Sequence, residues 1–394
     1  MNSHDRAVSA ERSTATSPAH VAVLKLANFR NYSSLSLSLD ARPVVLTGAN
    51  GAGKTNLLEA VSFLSPGRGL RRAALDEVAR RTGDGSWAVA ATLCNRAGSV
   101  DVGTGVTRGP EEPERHRRLR VNHAPMRSLE ALLEHVRVLW LTPSMDGLFT
   151  GPASDRRRFL DRAVLAIDRT HGTRCNAFEK AMRGRNKLLT EPAPDRAWLD
   201  AIETEMADLA IAIAAARREW AGLATDMIAA AGDGPFPPAE LALAGTLEEA
   251  VATGSVRAVE DAYRARLRDE RRRDAAAGRT LAGPHLSDIR IRHKPKQMPA
   301  EACSTGEQKA LLIGLVLSQA RLVTKLTGET PLILLDEIAA HLDEARRLAL
   351  FGVLDELGAQ SFMTGTDAAV FAPLGERAQL LAVHDGAVEA PASA

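Results

Sequence analysis

The chain is poor in cysteine and aromatic residues and is almost neutral. Its three cysteines lie far apart among 394 residues and form no Cys-x-x-Cys pair, which argues against a disulfide framework and against a zinc site. The formal net charge is +1, so any nucleic-acid-binding site must be a local basic patch. Aromatic residues make up 4% of the chain, and none interleaves with the arginine runs to form a base-stacking surface.

Long apolar runs are also lacking. We find no stretch of about 18 apolar residues and therefore expect no membrane span. Residues 1–20 are polar without an apolar core, which is unlike a secretory signal and predicts a mobile tail. The remaining composition is that of an ordinary soluble protein with two or three domains, and the sparse cysteines suit a reducing cytoplasm.

A glycine-rich segment matches the phosphate-binding pattern G-x-x-x-x-G-K-[ST]. An apolar strand pattern precedes it at residues 43–47, and an amphipathic helix pattern follows at 56–64. We expect its backbone N–H groups to cradle phosphates, its lysine to reach the β- and γ-phosphates, and its threonine to bind Mg²⁺. The segment consists of Gly48, Ala49, Asn50, Gly51, Ala52, Gly53, Lys54 and Thr55.

A pair of acids ends the most apolar strand pattern in the chain. Residues 331–335 contain no charged side chain, as expected of a parallel strand buried on both faces, and Asp336 and Glu337 follow directly. Acids also end strands simply because the chain leaves the core. Together with a complete phosphate loop, however, the pair predicts that Asp336 joins the Mg²⁺ shell and that Glu337 orients or deprotonates the attacking water.

A second helix start with phosphate-binding character begins at Ser304. With the Leu-Asp pair at 342–343, it resembles the signature and the following loop of ABC-type ATPase heads. That resemblance implies that ATP binding closes a head-to-head homodimer, with the signature of one subunit on the ATP of the other. It assigns this contact to Ser304, Thr305, Gly306, Glu307 and Asp343, and it places Thr366 at the switch position, where transporters carry histidine.

The predicted fold is α/β: a P-loop NTPase head of the ABC type, with mixed sheets and flanking helices, interrupted by a mostly helical lobe. We divide the chain into a tail at 1–20, the head at 21–142 and 281–390, and the inserted lobe at 143–280. The periodicity predicts lobe helices over 155–171, 174–189, from about 197 onward, and over 256–277, and a head helix over 129–135.

The sequence lacks features that are typical of two kinds of ABC-type protein. A transporter subunit carries a glutamine loop before the signature, but no glutamine occurs between residues 56 and 296. A chromosome-organising head carries long coiled-coil arms, whereas proline and glycine break the predicted lobe helices into short pieces. An SMC-like or transporter-type ABC ATPase in another process is the alternative reading.

Several segments in order resemble the bacterial RecF family of recombination and repair proteins, over residues 21–385. Two departures stand out: Glu337 occupies a position where the family more often has Asp, and Leu286-Ser287 replaces a more frequent Arg-Asp pair. The first two matching segments add Arg30, Asn31 and Asn56 to the predicted ATP site. The segments lie at 28–32, 54–60, 67–68, 151–161, 185–189 and 283–285.

The resemblance also implies partners. It suggests a weak ATPase that acts as an ATP-gated clamp at gapped DNA or at duplex–single-strand junctions. It further suggests that the clamp helps RecO/RecR-type mediators load RecA.

The basic runs of the chain are candidates for contacts to the DNA backbone, without sequence preference. Arg156, Arg157 and Arg158 open a helix, where cations oppose the macrodipole. Phosphates would explain such a run, and so would a solvated or salt-bridged helix start. Arg117 and Arg118 are further candidates. Acids alternate with the arginines of residues 264–273, and intrahelical pairs explain that run.

Overall fold

A computed structural model describes residues 19–107, 116–232, 234–339 and 342–389. The first 18 residues of the predicted tail lie outside the described residues. The described strands, in chain order, are β1 His20–Phe29, β2 Tyr32–Ser38, β3 Val44–Thr47, β4 Trp87–Asn95, β5 Gly98–Val106, β6 Arg118–Val121, β7 Ala124–Met126, β8 Val138–Leu141, β9 Ala239–Ala244, β10 Asp288–His293, β11 Met298–Pro299, β12 Leu332–Leu335, β13 Ser361–Gly365, β14 Gln379–His384 and β15 Ala387–Glu389.

The strands alternate with helices in the pattern predicted for an α/β protein. The described α-helices are α1 Lys54–Ser62, α2 Ala153–Leu165, α3 His171–Leu189, α4 Arg196–Ala230, α5 Thr246–Thr253, α6 Val256–Asp269, α7 Arg271–Ala277, α8 Thr305–Thr327 and α9 Glu344–Leu357.

Three sheets organise the described strands. The first is antiparallel, in the order β2-β1-β4-β5-β6-β7, and the third is a small antiparallel sheet, β11-β10-β9. The second runs β15-β14-β3-β13-β12-β8 and is parallel except for β15. Its register pairs Leu335 with both Leu141 and Met363, and Gly365 with Thr47. The carboxyl ends of β3, β13, β12 and β8 therefore meet at one edge.

The lobe is less purely helical than predicted. Strand β9 lies inside the predicted lobe and pairs with β10 of the head along its whole length, and α5 follows it. The sequence Ala-Glu-Leu-Ala-Leu-Ala of β9 consists of good helix formers, so local propensity does not reveal the strand. Pairing with β10 decides its conformation, as tertiary context often does for strands.

Three helix predictions also differ from the structure. The helix predicted over 155–171 ends at Leu165, because Asp168 accepts hydrogen bonds from the Thr170 N–H (3.0 Å) and hydroxyl (2.7 Å) and closes a turn. The helix predicted over 256–277 is two helices that break at Glu270, whose backbone is non-helical. The segment predicted as a helix over 129–135 is a 3₁₀ helix, Leu129–Glu134.

Helix α8 ties the signature segment to the lobe. The buried Gln319 side chain accepts a hydrogen bond from Trp220 Nε1 on α4 (2.7 Å) and donates one to the Ala163 carbonyl on α2 (2.9 Å). By length and composition alone α8 could cross a bilayer. However, 67% of its most apolar part is buried inside the protein.

Candidate nucleotide-binding site

The phosphate loop connects β3 to α1 and needs glycine at two positions. Gly48 has φ +149°, and a Cβ there would lie 2.3 Å from the Val383 carbonyl oxygen of β14. Gly53 has φ +116°, and a Cβ there would lie 2.5 Å from Asn31 Nδ2. Both the left-handed backbone and the close neighbours exclude a side chain. The loop is thus pressed between β14 and the β1–β2 turn.

Lys54 begins α1 and is buried. Its ammonium donates to the carbonyl oxygens of Gly48 (2.7 Å) and Ala49 (2.9 Å). These bonds hold the cation across the loop, at the positive end of the helix. An anion held by the loop would therefore meet a fixed positive charge as well as the helix N-terminus.

Asp336 brings the ends of three strands together. Its Oδ1 accepts hydrogen bonds from the hydroxyls of Thr55 (2.9 Å) and Thr364 (2.8 Å), and its N–H donates to the Leu141 carbonyl (3.0 Å). Thr55 and Asp336, each predicted to hold Mg²⁺, are therefore in direct contact. Carboxylate and hydroxyl oxygens are ligands that suit Mg²⁺, which usually takes one or two protein groups and completes its shell with phosphates and water. These two residues fit a Mg²⁺–nucleotide site.

Glu337 follows in a strained backbone conformation. Its φ is +56°, a left-handed value that costs on the order of 1–3 kcal/mol in a non-glycine residue. The Thr364 hydroxyl accepts a hydrogen bond from the Glu337 N–H (2.8 Å). Such strain persists where the surroundings demand it, and here it occurs at a half-buried residue just after β12.

The hydroxyl that contacts the acid pair belongs to Thr364, whereas the sequence pointed to Thr366. Thr364 is fully buried at the end of β13, which lies between β3 and β12, while Thr366 is exposed. Sequence reasoning missed Thr364 because the strand order was unknown. The signal available was a polar residue near the end of a short apolar strand.

We expect the variant Thr364→Val to lose ATPase activity on the order of 10-fold or more, because Glu337 loses the hydroxyl that positions its backbone. The rate of ATP hydrolysis, measured over a range of Mg²⁺ concentrations, tests this loss. Thr364→Ser keeps the hydroxyl and should stay near wild type, as should Thr366→Val. An equal loss in Thr366→Val would instead support the switch assignment made from the sequence.

The turn between β1 and β2 packs against the phosphate loop. Asn31 Nδ2 donates to the Ala52 carbonyl (3.1 Å) and Asn31 Oδ1 accepts from Asn56 Nδ2 (2.7 Å). The Tyr32 hydroxyl donates to the Gly53 carbonyl (3.0 Å), and burial raises the pKa of Tyr32 to about 12. Asn31 and Asn56, both predicted at the ATP site, therefore lie against the phosphate loop.

A buried carboxylate next to this turn was not foreseen. Glu59 on α1 is fully buried and receives both guanidinium arms of Arg30, at 2.8 and 2.7 Å, and one nitrogen of Arg71 at 3.0 Å. Arg30 also donates to the Glu77 carbonyl (2.6 Å). The Arg30 side chain thus fastens the β1–β2 turn to α1. Its predicted contact with ATP stays a prediction.

The predicted dimer-contact residues form one exposed patch. Ser304 caps α8 in a capping box, in which its N–H donates to Glu307 Oε2 (3.0 Å) and its hydroxyl accepts from the Glu307 N–H (3.4 Å). Asp343 caps α9 by accepting from the Arg346 N–H (2.8 Å). Arg346 Nη1 would lie 4.0 Å from a Cβ on Gly306, so the two helix starts are neighbours. We call Ser304, Thr305, Gly306, Glu307 and Asp343 the signature patch.

The acid of the capping box is held charged. Lys296 pairs with Glu307, and this hydrogen bond is the main reason why the pKa of Glu307 falls to about 2. The Ser304 N–H contributes as well. Ser304, Thr305 and Gly306 themselves are exposed. The helix start is therefore rigid but accessible, as a contact to a second molecule requires.

The candidate DNA-binding arginines divide into two groups. Arg156 forms a two-armed ion pair with Asp288 (2.9 and 2.8 Å), and Arg157 donates to the Ser287 carbonyl (2.8 Å). Arg117 donates to backbone carbonyls at the end of α1, Ser65 (3.1 Å) and Gly67 (2.7 Å) among them. These three fasten segments of the chain together, and their predicted contact with DNA stays a prediction. Arg158 and Arg118 are exposed.

One cluster in the lobe has the spacing of metal ligands. Asp161, His171 and Cys175 each present a ligand atom within 4.8 Å of the others. However, Arg217 takes both oxygens of Asp161 (2.9 and 3.0 Å), and burial raises the pKa of the Cys175 thiol to about 12. A guanidinium on the carboxylate and a protonated thiol suit an internal polar network better than a cation.

Comparisons with known proteins identify the family of the chain. The family model of the RecF/RecN/SMC N terminal domain matches residues 20–388. The DNA replication and repair protein RecF of Rhizobium meliloti (strain 1021) is 59% identical over 366 residues, covering 93% of this chain and 97% of that protein. RecF of Mesorhizobium japonicum is 58% identical over 370 residues, covering 94% and 97%.

Solved structures show the same fold at lower identity. The recombination mediator protein RecF of the RecFOR pathway, solved with ATP, superposes with a TM-score of 0.82 at 21% identity, covering 96% of this chain and 100% of that one. An Smc head domain from Pyrococcus furiosus has a TM-score of 0.51 at 15% identity, covering 94% and 95%. The fold is therefore an ABC-type ATPase head, as the motifs predicted. The chain belongs to the RecF family of SMC-like ABC ATPases.

Proposed function

We propose that this chain is an ATP-dependent DNA-binding protein of recombinational repair and replication-fork maintenance. The observation that carries the proposal is the direct contact of Thr55 with Asp336 beside the phosphate loop, because it joins the two halves of a Mg²⁺–ATP site. The relatives in Rhizobium and Mesorhizobium are named for DNA replication and repair, and a solved relative contains ATP. The site suits ATP hydrolysis at a slow rate.

Each residue of the site has a role in this proposal. The loop backbone and Lys54 hold the phosphates, and Thr55 and Asp336 hold Mg²⁺. When bound, Mg²⁺ neutralises charge on the β- and γ-phosphates. Glu337 orients the attacking water and accepts its proton, and Thr364 fixes the backbone of Glu337.

The exposed signature patch is the second half of the mechanism. The N–H groups at the start of α8 can take a γ-phosphate, and the capping box holds them rigid. In a head-to-head homodimer each patch closes on the partner's nucleotide. ATP then joins two subunits around DNA, and hydrolysis separates them. The clamp acts at gaps or duplex–single-strand junctions in the cytoplasm, where RecO/RecR-type mediators use it to load RecA.

Gel shifts with gapped, duplex and single-stranded DNA test the function directly. We expect duplex-containing DNA to bind more tightly with ATP than without. The runner-up is an SMC-like or transporter-type ATPase in another process, to which the similarity with the Smc head fold gives some support. Absence of DNA binding with and without ATP would favour that runner-up.

Subunit mixing tests whether the site is shared between two copies. Lys54→Ala should abolish ATP binding, and Gly306→Glu should keep ATP binding but block the patch. Mixed in equal amounts, the two inactive variants should recover about a quarter of the wild-type ATPase rate, since half of the randomly formed dimers are mixed and each holds one intact site of two. No recovery, together with an ATP-independent monomer in size measurements, would contradict the shared site.

A further inference from the structure

A cavity of about 470 Å³ lies where the head meets the lobe. Its walls come from the segment after α1, the end of β8, the loop between β8 and α2, and the first turns of α2. No residue of the phosphate loop lines it within the described residues. The charged side chains in its wall are three arginines and one acid, Arg72, Arg158, Arg162 and Asp155. The cavity therefore carries excess positive charge and shares no residue with the phosphate loop.

Among the described residues, Arg162 has no carboxylate partner. It stacks on Trp140, with Cζ 4.1 Å from the ring centroid. Its one hydrogen bond to a described residue runs from Nη2 to Met145 Sδ at 3.8 Å, and a thioether is a weak acceptor. Burial lowers the pKa of Arg162 to about 10, so the group is still charged at neutral pH. Charges withdrawn from water are normally paired. This half-buried guanidinium lies on an aromatic face, and most of its N–H groups bond no described residue.

Arg158 and Arg72 stand nearer the mouth of the cavity. Both are exposed. Burial first, and then the charge of Arg72, lowers the pKa of Arg158, so the two cations are close enough to repel each other. Arg72 also has φ +56°, a conformation that is costly for an arginine. Asp155 pairs with Arg158 and offsets part of its charge.

We infer that this cavity binds a backbone phosphate of DNA. Arginine forks match the geometry of a phosphate, and a pocket with three of them and one acid favours a dianionic or monoanionic oxygen ligand. The exposed rim lets one phosphodiester enter while the strand continues across the surface. This inference rests on the proposed function and deepens it. It assigns the DNA contact to Arg158, Arg72 and Arg162 in place of Arg156 and Arg157.

The acid in the wall opposes the binding of an anion, because Asp155 competes with the ligand for Arg158. Removing the charge of Asp155 should therefore strengthen DNA binding, whereas removing either rim arginine should weaken it.

Fluorescence anisotropy with a labelled duplex, over a series of salt concentrations, tests the site in the full chain. Arg72→Ala and Arg158→Ala should each weaken binding and reduce the magnitude of the salt slope by about one. Asp155→Asn should tighten binding. Arg257→Ala, which removes an exposed arginine of α6, is the matched control and should leave the slope unchanged. Thermal melts check that each variant folds.

ATP affinity, measured on the same variants, distinguishes the source of the phosphate. It should stay at the wild-type value throughout, and a parallel loss would mean that the cavity serves the nucleotide and would overturn the inference. Unchanged salt slopes in both rim variants, with a wild type that binds DNA, would overturn the inference and leave the proposed function intact. A wild type that binds no DNA would overturn both.

Discussion

Glu337→Gln should slow ATP hydrolysis by about 10²- to 10⁴-fold, the usual contribution of a general base. The amide keeps the size of the side chain and the hydrogen bond from the Glu337 N–H to Thr364, so ATP binding should be retained. Because hydrolysis opens the dimer in the proposed cycle, the ATP-bound dimer should also live longer. Single-turnover hydrolysis and size measurements over time provide the two readouts.

The same variant separates two views of the protein. If the chain works as a clamp while ATP is bound, Glu337→Gln should still bind DNA and recruit mediator proteins. If turnover itself is the function, recruitment should fail while DNA binding persists. Glu344→Gln, at the exposed start of α9, is a control that keeps the hydrolysis rate. A hydrolysis rate near wild type in Glu337→Gln would remove this residue from its assigned role.

Arg185→Met should destabilise the lobe by about 3–5 kcal/mol, the cost of breaking a buried ion pair from one side. Arg185 is fully buried and bonds Glu203 (2.9 Å), Asp274 (2.7 Å), Thr280 (2.9 Å) and the Leu267 carbonyl (2.6 Å). Both acids are about 1% exposed. Without the guanidinium, two carboxylates would stay buried, with Arg271 as a remaining partner of Glu203.

Urea unfolding followed by circular dichroism measures the effect. Arg183→Met changes an exposed arginine of the same helix and should shift stability by no more than about 0.5 kcal/mol. Adding Glu203→Gln and Asp274→Asn to Arg185→Met should restore part of the loss, because the uncompensated charges disappear. Equal shifts in the Arg183 and Arg185 variants would show that the buried network contributes little.

The sequence sufficed for the parts of the site that lie in continuous motifs. The phosphate loop, Asp336 and the helix start at Ser304 could be predicted, because glycine spacing and strand-end acids are local patterns. The sequence assigned Thr55 and Asp336 separately to Mg²⁺, and the structure places the two side chains in contact. Family membership followed from the order of several short segments.

Other parts depend on contacts that are distant in sequence. Thr364 reaches Asp336 only because β13 lies between β3 and β12. The sequence pattern places Glu59 in an amphipathic helix and indicates nothing more about it. Its two arginine partners come from other segments of the chain. The arginines opening α2 look alike in sequence, yet Asp288 takes Arg156 and leaves Arg158 at the rim of a cavity. No local pattern distinguishes these neighbours.

The two hydrogen bonds of Gln319 have a mechanical consequence. Helix α8 is a rod of 23 residues, about 34 Å long at 1.5 Å per residue. Ser304 caps one end, and Gln319 links its distal half to α2 and α4. Because α8 is one continuous helix that is bonded to both α2 and α4, we expect the signature patch and the adjoining parts of the lobe to move together as a rigid body.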